Sequence, residues 1–279
     1  MKETLRNLLL TSFCFFVLST VAFADGTRST LPKHSFGIGL EYMYFDYEEE
    51  NGDFMEEDGP MYGVIIDYTY HGDDNLMFKF SLEYAADDDV EYDGGYQDGT
   101  PLKADTDTWL VESRVLFGSD ISNPSSETII TPFIGIAYRY WNDDLQAIGG
   151  YERETEYWYT PIGVKTVSPL FGKWTWGINA EYDLFWGGKV KGHLSDVHPA
   201  YNDPEVDQDG GDGYGVRFSL QFKREITKGC ALSIEPYIRY WDIDESERVT
   251  LTDDGFPYAT VFEPENETTT FGLRLRLVF

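Results

Sequence analysis

Side chains able to do chemistry are few in this 279-residue chain, and they gather in acidic stretches. The most suggestive are Asp87-Asp88-Asp89 and Asp196-Val197-His198. A histidine oriented by a carboxylate can take a proton from water, so the two stretches together offer general-base chemistry. The D-x-D spacing says little alone, because it recurs at Asp105/Asp107, Asp207/Asp209 and Asp242/Asp244. Asp207-Gln208-Asp209-Gly210-Gly211-Asp212 sets oxygen donors around glycines, as calcium prefers, but lacks the closing glutamate of a twelve-residue calcium loop. His34, His71 and His193 stand isolated in sequence, no serine occupies a nucleophile elbow, and Cys230 has no cysteine or histidine cluster around it. These patterns assign no catalytic residue, no cofactor and no metal ligand.

The elements that must position these groups read as β-strands. A strand points successive side chains to opposite faces, and ten runs alternate in this way: residues 36–47, 61–71, 76–86, 107–118, 129–141, 153–167, 174–186, 214–224, 231–241 and 268–279. In the seventh, Trp174, Trp176, Ile178, Ala180, Tyr182, Leu184 and Trp186 alternate with Thr175, Gly177, Asn179, Glu181 and Asp183. In the last, Phe271, Leu273, Leu275 and Leu277 alternate with Gly272, Arg274, Arg276 and Val278. Pro161 within the sixth run suggests a bulge. Connections after the odd-numbered strands are long and acidic (48–60, 87–106, 142–152, 187–212, 242–267), while those after the even-numbered ones are short turns. Strands near the roughly 9–11 residues of a tilted membrane strand, with long and short connections segregated to opposite ends, predict an all-β, ten-stranded, antiparallel up-and-down transmembrane β-barrel.

This register sorts the charges. Glu41, Asp67, Glu83, Glu112, Glu181, Asp183 and Glu235 fall on the inward face with Lys79, Arg114, Arg139, Lys165, Arg217, Lys223, Arg239, Arg274 and Arg276. A ten-stranded lumen is narrow enough for side chains nearly to fill it. The expectation is therefore an ion-paired plug, with a narrow charged pore as the alternative. A one-residue slip would turn arginines toward lipid at about 2–4 kcal/mol each.

The first 24 residues read as a secretion signal: Lys2 and Arg6, an apolar run, then Ala22-Phe23-Ala24, after which a peptidase cuts. Residues 25–279 then form one barrel domain. The balance of 50 acidic against 21 basic residues, net −29, argues against nucleic acid, whose phosphates would repel it. With 16% aromatic residues the chain is folded rather than an acidic tail, and girdles at both membrane interfaces would use them.

The signal, the alternating strands and Phe279 with apolar residues at every second position before it resemble the small outer-membrane β-barrel proteins of Gram-negative bacteria. That resemblance implies recognition of the terminal strand by the barrel-assembly machinery and contact with outer-membrane lipid and lipopolysaccharide. The D-x-D and D-x-H spacings at Asp87/Asp89 and Asp196/His198 also resemble the omptins, ten-stranded outer-membrane proteases with an Asp pair facing an Asp-His pair. Here Val90 follows Asp89 where omptins carry an aromatic residue. The reading is a monomeric, non-enzymatic barrel with a structural or surface-interaction role. Its acidic loops would meet divalent cations or a cationic extracellular partner. The alternatives are a small-solute pore and an omptin-like protease.

Overall fold

The computed structural model describes residues 31–49, 55–96, 99–123, 127–211 and 213–279. The expected signal, residues 1–24 with its cleavage point at Ala24, lies outside them, as does Asp212. Ten strands form the wall: β1 (His34–Glu49), β2 (Glu56–His71), β3 (Leu76–Gly95), β4 (Pro101–Ser119), β5 (Thr128–Leu145), β6 (Glu152–Pro169), β7 (Trp174–Gly192), β8 (Gly213–Thr227), β9 (Cys230–Ile243) and β10 (Asn266–Val278). Each pairs antiparallel with the next, and β10 returns to β1. The seam runs from Gly37 opposite Val278 to Glu49 opposite Asn266. Phe36 and Phe279 exchange backbone hydrogen bonds of 3.0 and 2.8 Å at its foot. Closure leaves the barrel without a free sheet edge.

The outer face is apolar across its middle. Leu40 is 67% exposed, and Val64, Ile136 and Leu275 are exposed with it. Aromatic rings bound this band above, in a contact chain that passes from Tyr84 to Trp109 to Tyr140 and from Tyr182 to Tyr214 to Tyr240. Below it lie His34 with Tyr68 and Tyr70, Phe78 with Phe117, and Phe171 with Trp174. An apolar belt between aromatic girdles around a closed sheet is the surface of a bilayer-spanning barrel. Just above the upper girdle the outer face turns acidic, and girdle hydroxyls donate to it: Tyr44 to Asp58, and Tyr140 to Glu154 at 2.8 Å.

Three of the expected long loops are instead continuations of the wall. β3 runs on to Gly95 and β4 starts at Pro101, so residues 87–106 are mostly strand; β1, β2, β5 and β6 extend likewise. Alternation persists there with its chemistry changed. Beyond the bilayer the outward side chain meets water, so Asp46, Glu48, Glu56 and Asp58 replace the apolar residues, and the greasy signature of a membrane strand disappears. The connections after β7 and β9 remain long. The first contains a short strand, Glu205–Gln208, that pairs with β7; the second contains a hairpin of Val249–Asp253 and Phe256–Val261. Pro161 causes no bulge in its own strand: it stays in register with Asp183, and the ladder to β5 runs from Ile134–Ile162 to Ala137–Tyr159 without a shift. A bulge lies nearby on β7, where Trp186 is the extra residue opposite Trp158 and Tyr159, and Gly187 takes φ 153°.

The charges expected inside the lumen lie inside it, in levels. Nearest the short turns, Arg276 joins Asp67 to Glu235. Above it, Arg239 grips Glu83 through two nitrogens at 2.7 Å, and Arg274 reaches Glu41 at 2.9 Å and Glu83 at 2.5 Å. The Tyr237 ring lies within 4.6 Å of one guanidinium and 4.3 Å of the other. It fits because Gly272 faces it across the sheet: a Cβ there would fall 2.2 Å from the ring. Beside this network Arg217 binds Glu112 at 2.6 and 2.8 Å, Asp183 at 2.5 Å and the Tyr159 hydroxyl at 2.7 Å, while Arg114 binds Glu181.

Higher still the lumen is filled by aromatic and aliphatic side chains. Trp141, Trp241, Tyr47, Tyr159, Phe45 and Phe185 are all essentially buried. Removing Arg217 by substitution to Ala leaves Glu112 and Asp183 buried without their guanidinium, at an expected cost of about 3–5 kcal/mol. Urea unfolding of the detergent-folded barrel, followed by tryptophan fluorescence, measures it. A cost below about 1 kcal/mol would show that this network does not hold the wall together.

Candidate functional site

Above the aromatic plug the lumen reopens as a cup of about 500 Å³. Beneath it lie Tyr47 and Trp141, inward-facing residues of β1 and β5. Arg153 of β6 lies on them, its guanidinium carbon 4.9 Å from the Tyr47 ring and 5.3 Å from the Trp141 ring. Four carboxylates from four elements converge on that guanidinium: Glu49 of β1 at 3.3 Å, Glu57 of β2 at 3.2 Å, Asp143 of β5 at 3.3 Å, and Glu263 after the hairpin at 3.4 Å. Strand alternation explains the convergence. Glu49 follows Tyr47 by two residues, and Asp143 follows Trp141 by two, so each acid repeats its neighbour's inward direction one step higher.

Val190, Val206, Leu145, Tyr151 and Phe262 wall the cup. The two long connections brace one another above it. Tyr201 stacks on Tyr258 at 5.3 Å, and Thr252 donates to Asn202 through its backbone at 2.6 Å and its hydroxyl at 2.9 Å.

One guanidinium cannot balance four carboxylates in so enclosed a place. Burial, then the Glu263 charge, pushes the Glu49 carboxyl up to about 7. Burial pushes Asp143 up to about 6 although Arg153 opposes it, and Glu57 rises well above the carboxylate range through burial and Asp143. Carboxyls that hold protons near neutrality inside a cavity mark a place where a cation can exchange with them.

The residues singled out by spacing are not brought together. Asp88 and Asp89 are exposed on a bulge of β3, where their charges bear on Asp107 of β4, and the Asp89 backbone donates to Asp87 at 3.0 Å. His198 sits exposed in the connection after β7, where its Nδ1 accepts from the Ala200 backbone at 3.3 Å and its ring meets Tyr201 at 5.0 Å. Among the described residues no hydrogen bond or ion pair joins Asp87 or Asp89 to Asp196 or His198. Asp207 sits on the short strand 3.9 Å from the Lys189 ammonium, Asp209 is exposed, and the third oxygen donor of that motif, Asp212, lies outside the described residues.

Two histidines isolated in sequence are not isolated in space. His193 Nε2 lies 2.5 Å from Glu154 and its Nδ1 lies 3.7 Å from Asp203; His71 lies 2.5 Å from Asp120, which also accepts from Thr131 at 2.7 Å. Strand pairing and loop folding over dozens of residues create these contacts, and spacing does not register them. The acids around Arg153 escaped for another reason: Glu49, Glu57, Asp143 and Glu263 lie in segments whose acidity reads as loop, while Arg153 itself opens the sixth predicted strand.

No protein-family model matches the chain, and no curated protein matches it. Among solved structures it is similar to the outer membrane protease OmpT from Escherichia coli, at 9% identity over 91% of this chain and 99% of that one, with a TM-score of 0.67. The outer membrane protein OprG from Pseudomonas aeruginosa also matches, at 10% identity over 91% and 98%, with a TM-score of 0.40. The likeness to OmpT is one of fold: this chain is an antiparallel barrel of the outer-membrane type.

The raised carboxyls give the cup a pH signature. A carboxyl whose folded pKa lies above its unfolded value binds its proton more tightly when folded. Its contribution to stability is complete below the unfolded value of about 4.3. It is lost as pH rises through about 6 for Asp143 and about 7 for Glu49. The detergent-folded barrel should therefore melt at higher temperature at pH 5.5 than at pH 8, and Glu49→Gln should flatten that difference. A melting temperature that rises across the same window contradicts the assignment.

Proposed function

We propose that the protein is a non-enzymatic integral outer-membrane barrel of a Gram-negative bacterium, exported by cleavage after Ala24, that holds an acidic cup at the cell surface for a cationic partner. The observation that carries this reading is the pairing of a filled lumen with an open acidic cup directly above it. Trp141 is buried in the plug, and Arg153, which lies on its ring, lines the cup. A solute has no way through, while a lysine or arginine side chain of an extracellular partner meets four carboxylates and one guanidinium. The barrel is a rigid pedestal, since β3 to β7 continue above the aromatic girdle as paired strands.

Planar bilayers test the closed lumen, and discrete channel events from the purified barrel would favour the pore instead. Binding of oligolysine tests the cup. Affinity should fall steeply with salt, rise from pH 5.5 to pH 8 as an incoming cation displaces protons from Glu49 and Asp143, and weaken in Glu57→Gln. Oligolysine binding that ignores both salt and pH would defeat the reading.

The protease reading draws support from the OmpT-like fold alone. Cleavage of a basic peptide that is lost in His198→Ala would restore it. The expected result is no cleavage by either form.

A further inference from the structure

The lower lumen holds more positive charge than its acids can balance. Lys79, Lys165, Lys223 and Arg276 stand close enough for their charges to act on one another, and three carboxylates act on them, Asp67, Glu235 and Asp120, the last already engaged by His71 at 2.5 Å. Arg276 engages Asp67 and Glu235. Lys79 reaches Asp67 only at 3.9 Å. Among the described residues Lys165 and Lys223 make no ion pair within 4.0 Å. Uncompensated charge away from bulk water is costly, so this level of the barrel is short of an anion.

Two buried donor groups point the same way. Nε of Arg276 and the hydroxyl of Ser233 have no hydrogen-bond partner, with the residues 4% and 0% exposed. Ser233 of β9 lies directly across from Lys223 of β8 on one side and Arg276 of β10 on the other, so the orphaned groups and the unpaired lysine share one row of the sheet.

A cavity of about 70 Å³ opens beside them, lined by Lys79, Lys165, Asn179, Arg274 and Arg276 among others. At roughly 10–15 Å³ for each water-sized position, it has room for about five heavy atoms, the size of a tetrahedral oxyanion. The acids that share its wall are already committed, Glu112 to Arg217, Glu181 to Arg114 and Glu235 to Arg276.

We propose that this cavity is an anion site, entered from the short-turn end of the barrel, that takes inorganic phosphate or the terminal phosphate of a small solute or lipid headgroup. Lys165, with Lys79 beside it, supplies the unpaired charge at the cavity wall and Arg276 Nε supplies a donor; Ser233 and Lys223 stand behind Arg276 in the same row of the sheet and add to the positive field there. The aromatic plug at Trp141 and Trp241 bars the other end, while the Lys79 side chain keeps 23% of its surface accessible. The site lies at the opposite end of the lumen from the acidic cup and does not rest on the function proposed for it.

Calorimetric titration of the detergent-folded mature barrel with inorganic phosphate tests the assignment, against chloride at equal ionic strength. Glycerol 3-phosphate serves as the headgroup probe. Saturable binding of phosphate is expected, weakened roughly tenfold by Lys165→Gln, which removes one charge-assisted contact, and less by Lys223→Gln, which removes a neighbouring positive charge. Lys103→Gln, at an exposed lysine paired with Asp93, should leave it unchanged. Tighter binding of glycerol 3-phosphate assigns a headgroup source and tighter binding of inorganic phosphate a free anion, and both sustain the site. Absence of saturable binding of either probe overturns it, as does undiminished affinity in the Lys165→Gln/Lys223→Gln double variant. Should the double variant fail to migrate as a folded barrel, undiminished affinity in the folded Lys165→Gln single variant overturns it equally.

Discussion

Everything in this barrel follows from charge that cannot be left unpaired inside a tube wrapped in lipid. A ten-stranded wall has a narrow bore, and half of each strand points into it. The inward positions could have been filled with apolar residues throughout. Instead the membrane level is built from arginines that each serve two or three carboxylates: Arg217 holds Glu112 and Asp183, and Arg274 and Arg239 share Glu41 and Glu83. Burying such groups is expensive, and the expense is met only when every partner is in place. The network therefore fixes the register of the strands that carry it, because sliding any one strand by a residue would turn its charges toward lipid.

The membrane part of this arrangement was legible in the sequence because two rules agree there. Strand parity and the cost of a lipid-facing charge select the same face, so both place Glu41, Glu83, Arg217 and Arg274 inward. Above the girdle the second rule lapses, since both faces of a strand can be polar where the outside is water. The strands of residues 87–106 and 142–152 accordingly read as acidic loops. The inward turn of Glu57 and Asp143 is hidden in the same way. What remained illegible has a common cause. His193 beside Glu154, His71 beside Asp120, and Glu263 beside Arg153 are products of chain segments meeting across long separations, and local pattern carries no record of them.

The lumen is also polar along its length. Its upper end gathers Glu49, Glu57, Asp143 and Glu263 around a single arginine, and its lower end gathers three lysines and Arg276 around three acids, Asp67, Asp120 and Glu235. Between them lies a plug of aromatic rings that keeps the two populations from neutralising each other. A net charge of −29 thus conceals a basic end, and the two ends of the molecule meet different chemistry on the two sides of the bilayer. The likeness to OmpT in fold, at 9% identity, is compatible with this. Closed barrels of one shape can carry unrelated sites at their ends.

The seam between β1 and β10 sets the order of events by which such a molecule can form. Arg276 finds Asp67 across 209 residues of chain, and Arg274 finds Glu41 across 233. An open sheet can offer these arginines only Glu235 of β9; Asp67, Glu41 and Glu83 reach them only when the last strand meets the first. A partly assembled barrel would carry naked charges on a surface that lipid must cover, so it cannot rest in the bilayer as a stable half-product. Closure of the seam and neutralisation of the lumen are therefore coupled, since the same contacts that join β1 to β10 bring these acids to their arginines.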